Sequence, residues 1–261
     1  TLVLGNENLN KAGKSRVKAD KTVHVSLFSL PNQPNRKDVC FHDLLVEAGL
    51  AKGQRVGIAG WKNFTSPLQD NKHTFDVPYY IVKAILNIVG DESLVTNECA
   101  IFIGENGARC TTNANEVAHY EFAASLSSDA IIDAMNAVEI GTSEFTLGDK
   151  LVRFGQHTSI VTIATSGPRF IKANMFPTNN TVKLGDPIAL NNGYRGGSNS
   201  RSGLAIHDES ELPENQKDML DKVAKPYFNA YVAWLENIRC GMEGQQLFNI
   251  IEEELPRATY G

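Results

Sequence analysis

A chain of 261 residues, 42% hydrophobic and 21% charged, is too apolar for a disordered polymer and long enough for one large core or two smaller ones. Twenty-five Lys plus Arg against thirty Asp plus Glu leave a net charge of -5, with no run of like charge longer than Glu252-Glu253-Glu254, so no nucleic-acid partner is expected. No apolar run approaches the roughly 20 residues that cross a bilayer, and Thr1-Leu2-Val3-Leu4-Gly5-Asn6 lacks the basic start and long apolar centre of a signal peptide, so the expectation is a cytoplasmic protein without a membrane partner.

Leu2-Val3-Leu4 and His24 to Phe28 are short apolar runs closed by turn-forming residues and predict strands. Asp38 to Ala48 places Val39, Leu44, Leu45 and Ala48 near helical spacing and stops at Gly49; Arg55 to Gly60 then predicts a buried strand. Asp76 can cap, and Pro78 open, a helix whose Ile81, Val82, Ile85, Leu86 and Val89 share a face and which ends at Gly90. Ala100-Ile101-Phe102-Ile103 predicts another strand, and the alternation predicts an α/β domain with a largely parallel sheet over residues 1–112.

The polar stretch Thr111 to Asn115 marks a boundary, and residues 113–261 follow a different pattern. Glu116 to Val138 predicts a long helix with Val117, Phe122, Ala123, Leu126, Ala130, Ile131 and Ala134 on its apolar face; Gly141 ends it, Ser143 caps the next helix, and Glu144 suits that helix's first turn. Ser159 to Thr165 and Pro187 to Leu190 predict strands, and Pro213 to Arg239 a helix kinked at Pro226, in need of an apolar partner for Leu220, Val223, Tyr227, Tyr231, Trp234, Leu235 and Ile238. Glu243 to Leu255 predicts a last helix, stopped by Pro256. This second half is α+β.

Local motifs exclude several chemistries. Asn8 to Ser15 ends like a phosphate-binding loop but opens on Asn rather than Gly; no glycine set has G-x-G-x-x-G spacing; H-E-x-x-H and G-x-S-x-G are absent. Cys40, Cys99, Cys110 and Cys240 have neither Cys-x-x-Cys spacing nor paired histidines and are expected to be reduced.

Four fragments, in order, resemble the creatinase, aminopeptidase P and prolidase family: Asn115 to Ala124; Ile140-Gly141-Thr142-Ser143-Glu144; Ile163-Ala164-Thr165-Ser166-Gly167-Pro168; and Val182-Lys183-Leu184-Gly185-Asp186-Pro187-Ile188. The first half also resembles that family's amino-terminal domain at Leu2 to Glu7 and Val56 to Trp61. The resemblance implies a creatinase-like α/β domain over 1–112 followed by a pita-bread α+β domain over 113–261, hydrolysis at an Xaa-Pro or similar C–N bond, a peptide or small C–N-containing substrate, and a homodimer. It also implies two divalent metals (Mn, Co or Zn), whose first two aspartate ligands lie on a hairpin reading Asp-x-Gly and then Ser-Asp-x-Thr-Arg.

The sequence departs from that pattern where the metals are held. Asn191 stands at the first aspartate, and Asn199 or Ser200 at the second, depending on a one-residue gap. An amide oxygen coordinates without supplying charge, so no metal is predicted for this chain. The family histidine after the Ser-Gly-Pro turn is also missing, its nearest position being Asn174, which is no acid or base near neutral pH. Further family residues, a histidine and two glutamates, would follow Gly261, so the chain is expected to stop before the catalytic domain ends. The expectation is therefore a chain without the standard activity. Two alternatives stand beside it: a non-catalytic peptide- or protein-binding module, and a metal-free, amidinohydrolase-like enzyme. Arg195 and Arg201, flanked by Gly and Ser, are candidates to hold a carboxylate or belong to an exposed hairpin. His207-Asp208-Glu209-Ser210-Glu211 is an acid/base cluster or a solvated lead-in to the following helix.

Overall fold

The computed structural model describes residues 1–33, 39–173 and 175–260. The chain divides into two compact units, Thr1–Thr112 and Asn113–Gly261.

In the first unit, β1 (Leu2–Leu4) pairs in parallel with β2 (Thr22–His24), and β3 (Val56–Ile58) in parallel with β4 (Val95–Asn97). The strand expected at His24 to Phe28 lies earlier, because the chain turns at Ser26–Phe28 into a short 3-10 helix. The helix expected from Asp38 is α1 (Phe41–Glu47), and Asp38 itself lies outside the described residues. Helix α2 (Tyr79–Val89) turns Val82, Ile85 and Val89 onto Ile58 and Val95, forming the core, and closes on Gly90 at φ 75. Its cap is not Asp76. That carboxylate accepts from the amides of Trp61 and Lys62, at 2.8 and 3.1 Å, and so pins the loop after β3.

Ala100–Ile103 is a short helix, α3, rather than a strand. The Asn97 side chain explains the reversal. Its oxygen accepts from the Cys99 amide at 3.0 Å while its nitrogen donates to the Thr74 carbonyl at 2.8 Å, so the chain leaves the sheet at Asn97. Ile101 and Phe102 are then exposed.

The second unit opens with α4 (Ala114–Asn136), where Asn113 and Glu116 form a reciprocal capping box. Its buried face is Ala123, Leu126, Ser127, Ala130, Ile131 and Ala134. Val117 and Phe122, expected on that face, are 44% and 58% exposed. The approach is closest at Ala124, where a methyl group on Gly197 would lie 2.5 Å from the backbone nitrogen, and the sheet covers only a narrow stripe of α4. Helix α5 (Glu144–Lys150) follows, with Ser143 as its cap.

Strands β5 (Ile163–Ser166), β6 (Pro187–Tyr194) and β7 (Gly197–Leu204) form an antiparallel sheet in that order, and α6 (Pro168–Lys172) follows β5. Ile131, Ala134, Leu147, Leu151, Ala164, Ile188 and Leu190 bury its α4 side. A π-turn at Leu220–Ala224 leads into α7 (Lys225–Asn237), accommodating Pro226, whose ring and missing N–H would disrupt a regular helix interior. Helix α8 (Gly244–Glu254) packs on α7, and α9 (Arg257–Tyr260) follows Pro256. Of the apolar row expected to be core, Tyr227, Tyr231 and Leu235 are 64%, 50% and 49% exposed; among the described residues only Ala230 of α7 is buried.

Candidate functional site

The β6–β7 hairpin carries most of the candidate residues. In an antiparallel ladder directly opposed residues share a face, and neighbours along a strand point to opposite faces. Asn191 is opposite Ile163 on one side and Ser200 on the other; Ala189 is opposite Thr165 and Ser202. Asn191, Ser200, Thr165 and Ser202 therefore lie on the face away from α4. Thr165 is 1% exposed, and among the described residues its hydroxyl has no hydrogen-bond partner.

Asn199 is opposite Asn192, on the α4 face. Its side chain donates to the Ser127 hydroxyl at 3.1 Å, and that hydroxyl donates to the Asn192 oxygen at 2.7 Å. Asn192 is wholly buried and also donates to the carbonyls of Ser127 and Leu151, both at 3.3 Å. The Tyr194 hydroxyl donates to the Leu151 carbonyl at 2.9 Å, and burial raises its phenol above the ordinary range against the opposing pull of Arg153. Asn192, which the sequence reading passed over, is thus the centre of a satisfied polar knot joining helix to hairpin. The hairpin brings Asn191 together with Ser200 and sends Asn199 into that knot.

Arg195 is exposed in the two-residue turn beside Gly196, which takes φ 107. Arg201 lies opposite Leu190, on the α4 side, and Nη1 donates to the Ser200 carbonyl at 2.7 Å. Asn174 lies outside the described residues. The 207–211 stretch resolves into local turns: Glu211 accepts from the His207 amide at 2.7 Å, and Asp208 accepts from the Ser210 amide at 2.8 Å. Both carboxyls sit below their ordinary ranges, Asp208 through the Ser210 hydroxyl and Glu211 through the His207 amide.

Among the described residues of the unit the buried charge is Glu144, 0% exposed. Oε1 accepts from the Ser166 amide at 2.8 Å and the Ser166 hydroxyl at 3.1 Å; Oε2 accepts from the Thr178 amide at 3.0 Å and its hydroxyl at 2.8 Å. Arg169 Nε donates to both oxygens, at 3.3 and 3.2 Å, and Asn180 Nδ2 to Oε1 at 3.3 Å. Burial is the largest influence and favours the neutral acid, but the Thr178 hydroxyl, the Ser166 and Thr178 amides and Asn180 together outweigh it, holding Glu144 below the usual glutamate range. Expected only as a first-turn charge, Glu144 instead ties the start of α5 to the Ser166-Gly167-Pro168 turn and to the loop at Thr178–Asn180. The signal was its place in the Gly-Thr-Ser-Glu fragment.

The residues at the hairpin positions where the family resemblance implies ligands to two divalent metals are uncharged. Two such cations need several anionic ligands, and Asn191, Ser200, Thr165 and Ser202 supply none. Among the described residues no three His, Cys, Asp or Glu side chains gather as a metal would require. No helix among them is long and apolar enough to cross a membrane.

No protein-family model matches the chain, and no curated protein matches it in sequence. Solved structures do match in fold. An Xaa-Pro dipeptidase from Bacillus anthracis superposes with a TM-score of 0.68 at 15% identity, over 99% of this chain and 64% of its own. The prolidase of Pyrococcus horikoshii OT3 gives 0.67 at 14% identity, over 99% and 64%. An X-Pro aminopeptidase from Thermotoga maritima MSB8 gives 0.63 at 15%, with the same coverage. The chain thus spans 64% of the length of these relatives, and over that span it has the pita-bread aminopeptidase P and prolidase fold.

Proposed function

We propose that this chain recognises peptides, or similar C–N-containing ligands, on a pita-bread scaffold without metal-dependent hydrolysis. The observation that carries this reading is the neutral cross-strand pair Asn191 and Ser200, where the family resemblance implies aspartates. The fold supports the ligand class, since the similar structures are named as Xaa-Pro dipeptidase, prolidase and X-Pro aminopeptidase. A carboxamide and a hydroxyl can hydrogen-bond a peptide backbone but cannot compensate a pair of divalent cations. Activity, partners and the expected homodimer of the whole protein belong to the same proposal, given the 64% span.

The test offers the purified chain Xaa-Pro dipeptides and tripeptides with manganese or cobalt. Saturable binding without product formation supports the reading. Metal-stimulated cleavage overturns it, and turnover that survives a strong chelator favours the metal-free enzyme instead.

A further inference from the structure

Helix α4 ends at Asn136, and residues of its last turn and of the segment after it share a cavity with the C-terminal half of β7. A cavity of about 290 Å³ opens there, between the last turn of α4 with the segment after it and the outer strand β7. Met135, Val138, Ile140, Ile188 and Leu190 are among the residues that line it, and most of its surface is apolar. Arg201 also lines it, on β7, one of the two edge strands of the sheet. Among the described residues Arg201 makes no ion pair, and its hydrogen bond through Nη1 to the Ser200 carbonyl leaves other guanidinium donors for a ligand. Glu139 also lines it and carries the only carboxylate among the described lining residues.

We propose that this cavity binds a small apolar carboxylic acid, with the carboxylate on Arg201 and the hydrocarbon against Met135, Val138, Ile140 and Leu190. The combination is specific in charge and shape. A planar guanidinium offers paired donors that match a carboxylate, and an apolar recess beside it rewards a hydrocarbon tail by removing it from water. Glu139 adds repulsion for each further negative charge on the ligand, so a monocarboxylate is favoured over a dicarboxylate. The site is on the α4 side of the sheet, opposite the Asn191 and Ser200 face, and does not depend on the peptide reading.

The probe is 4-phenylbutyrate, titrated into the full chain and followed by backbone amide correlation spectra. Saturable shifts are expected at residues 135–140 and 188–206. The uncharged 4-phenylbutyramide should bind at least about tenfold more weakly, the loss of one charge-assisted contact. Arg201→Gln, at an exposed position, should lose the same factor without changing the melting temperature, and Val138→Trp should block the recess. Equal affinity for acid and amide, undiminished binding by Arg201→Gln, shifts elsewhere on the chain, or no saturation at millimolar concentration would each overturn the assignment.

Discussion

Replacing Glu144 by Gln changes one atom and should still cost much of the second unit's stability. The carboxylate accepts at both oxygens, and each oxygen faces a buried backbone amide, Ser166 on one side and Thr178 on the other. A glutamine has one acceptor oxygen, so whichever way its amide turns, an NH2 group meets one of those N–H donors. One orphaned amide costs about 1–3 kcal/mol, and losing the charge that Arg169 faces adds to it, for a total of about 2–4 kcal/mol. At about 2–4 °C per kcal/mol for a unit of this size, the melting temperature falls by about 4–16 °C. Hydrogen exchange at the Ser166 and Thr178 amides provides the local readout, where protection should drop by two orders of magnitude or so for about 3 kcal/mol.

Acid titration checks the sign. The folded-state pKa of Glu144 is depressed, so its stabilisation is present above the unfolded value, about 4.3, and is lost as pH falls through the folded value. The wild type should destabilise below about pH 4.3 more steeply than Glu144→Gln. A variant within about 1 °C of wild type, with unchanged exchange and the same acid slope, would refute the idea that this carboxylate anchors the two loops.

Three further outcomes follow from the hairpin. Asn191→Asp with Ser200→Asp places like charges directly opposite one another, which should lower stability by up to about 1 kcal/mol; millimolar manganese should then raise the melting temperature of the double variant and not of the wild type, as thermal scans would read. Gly197→Ala puts a methyl into the backbone of α4 and should cost about 1–3 kcal/mol by urea denaturation, whereas Gly203→Ala, which meets no atom within 4 Å, should cost far less. Ser127→Ala removes the hydroxyl shared by Asn192 and Asn199 and should destabilise by about 1–3 kcal/mol; a change under about 0.5 kcal/mol would show that the knot repairs itself.

Helix ends and turns were legible in the sequence because single residues decide them: Gly90 closes α2, Ser143 caps α5, and Pro256 stops α8. The family resemblance came through the order of short fragments, and the structure shows why two of them coexist, since Glu144 of one binds Ser166 of the other. Local composition could not reveal long-range partners. The apolar run at Ala100–Ile103 fits strand or helix equally, and a side-chain bond from Asn97 decides between them. On α4, periodicity placed Val117 and Phe122 with the core because it counts apolar positions, while the sheet covers only the stripe through Ala123, Leu126, Ser127, Ala130, Ile131 and Ala134. At the hairpin, strand alternation separates neighbours Asn191 and Asn192, but choosing which faces outward required the register itself.

The tight seat of α4 on the hairpin makes the two strands one-sided where they turn. Asn192 and Asn199 are spent on holding the helix, so substitution there trades away folding, while Asn191 and Ser200 can vary with little structural cost. Under the proposed peptide reading, the outward face of the hairpin can therefore diverge while the seat of the helix stays intact.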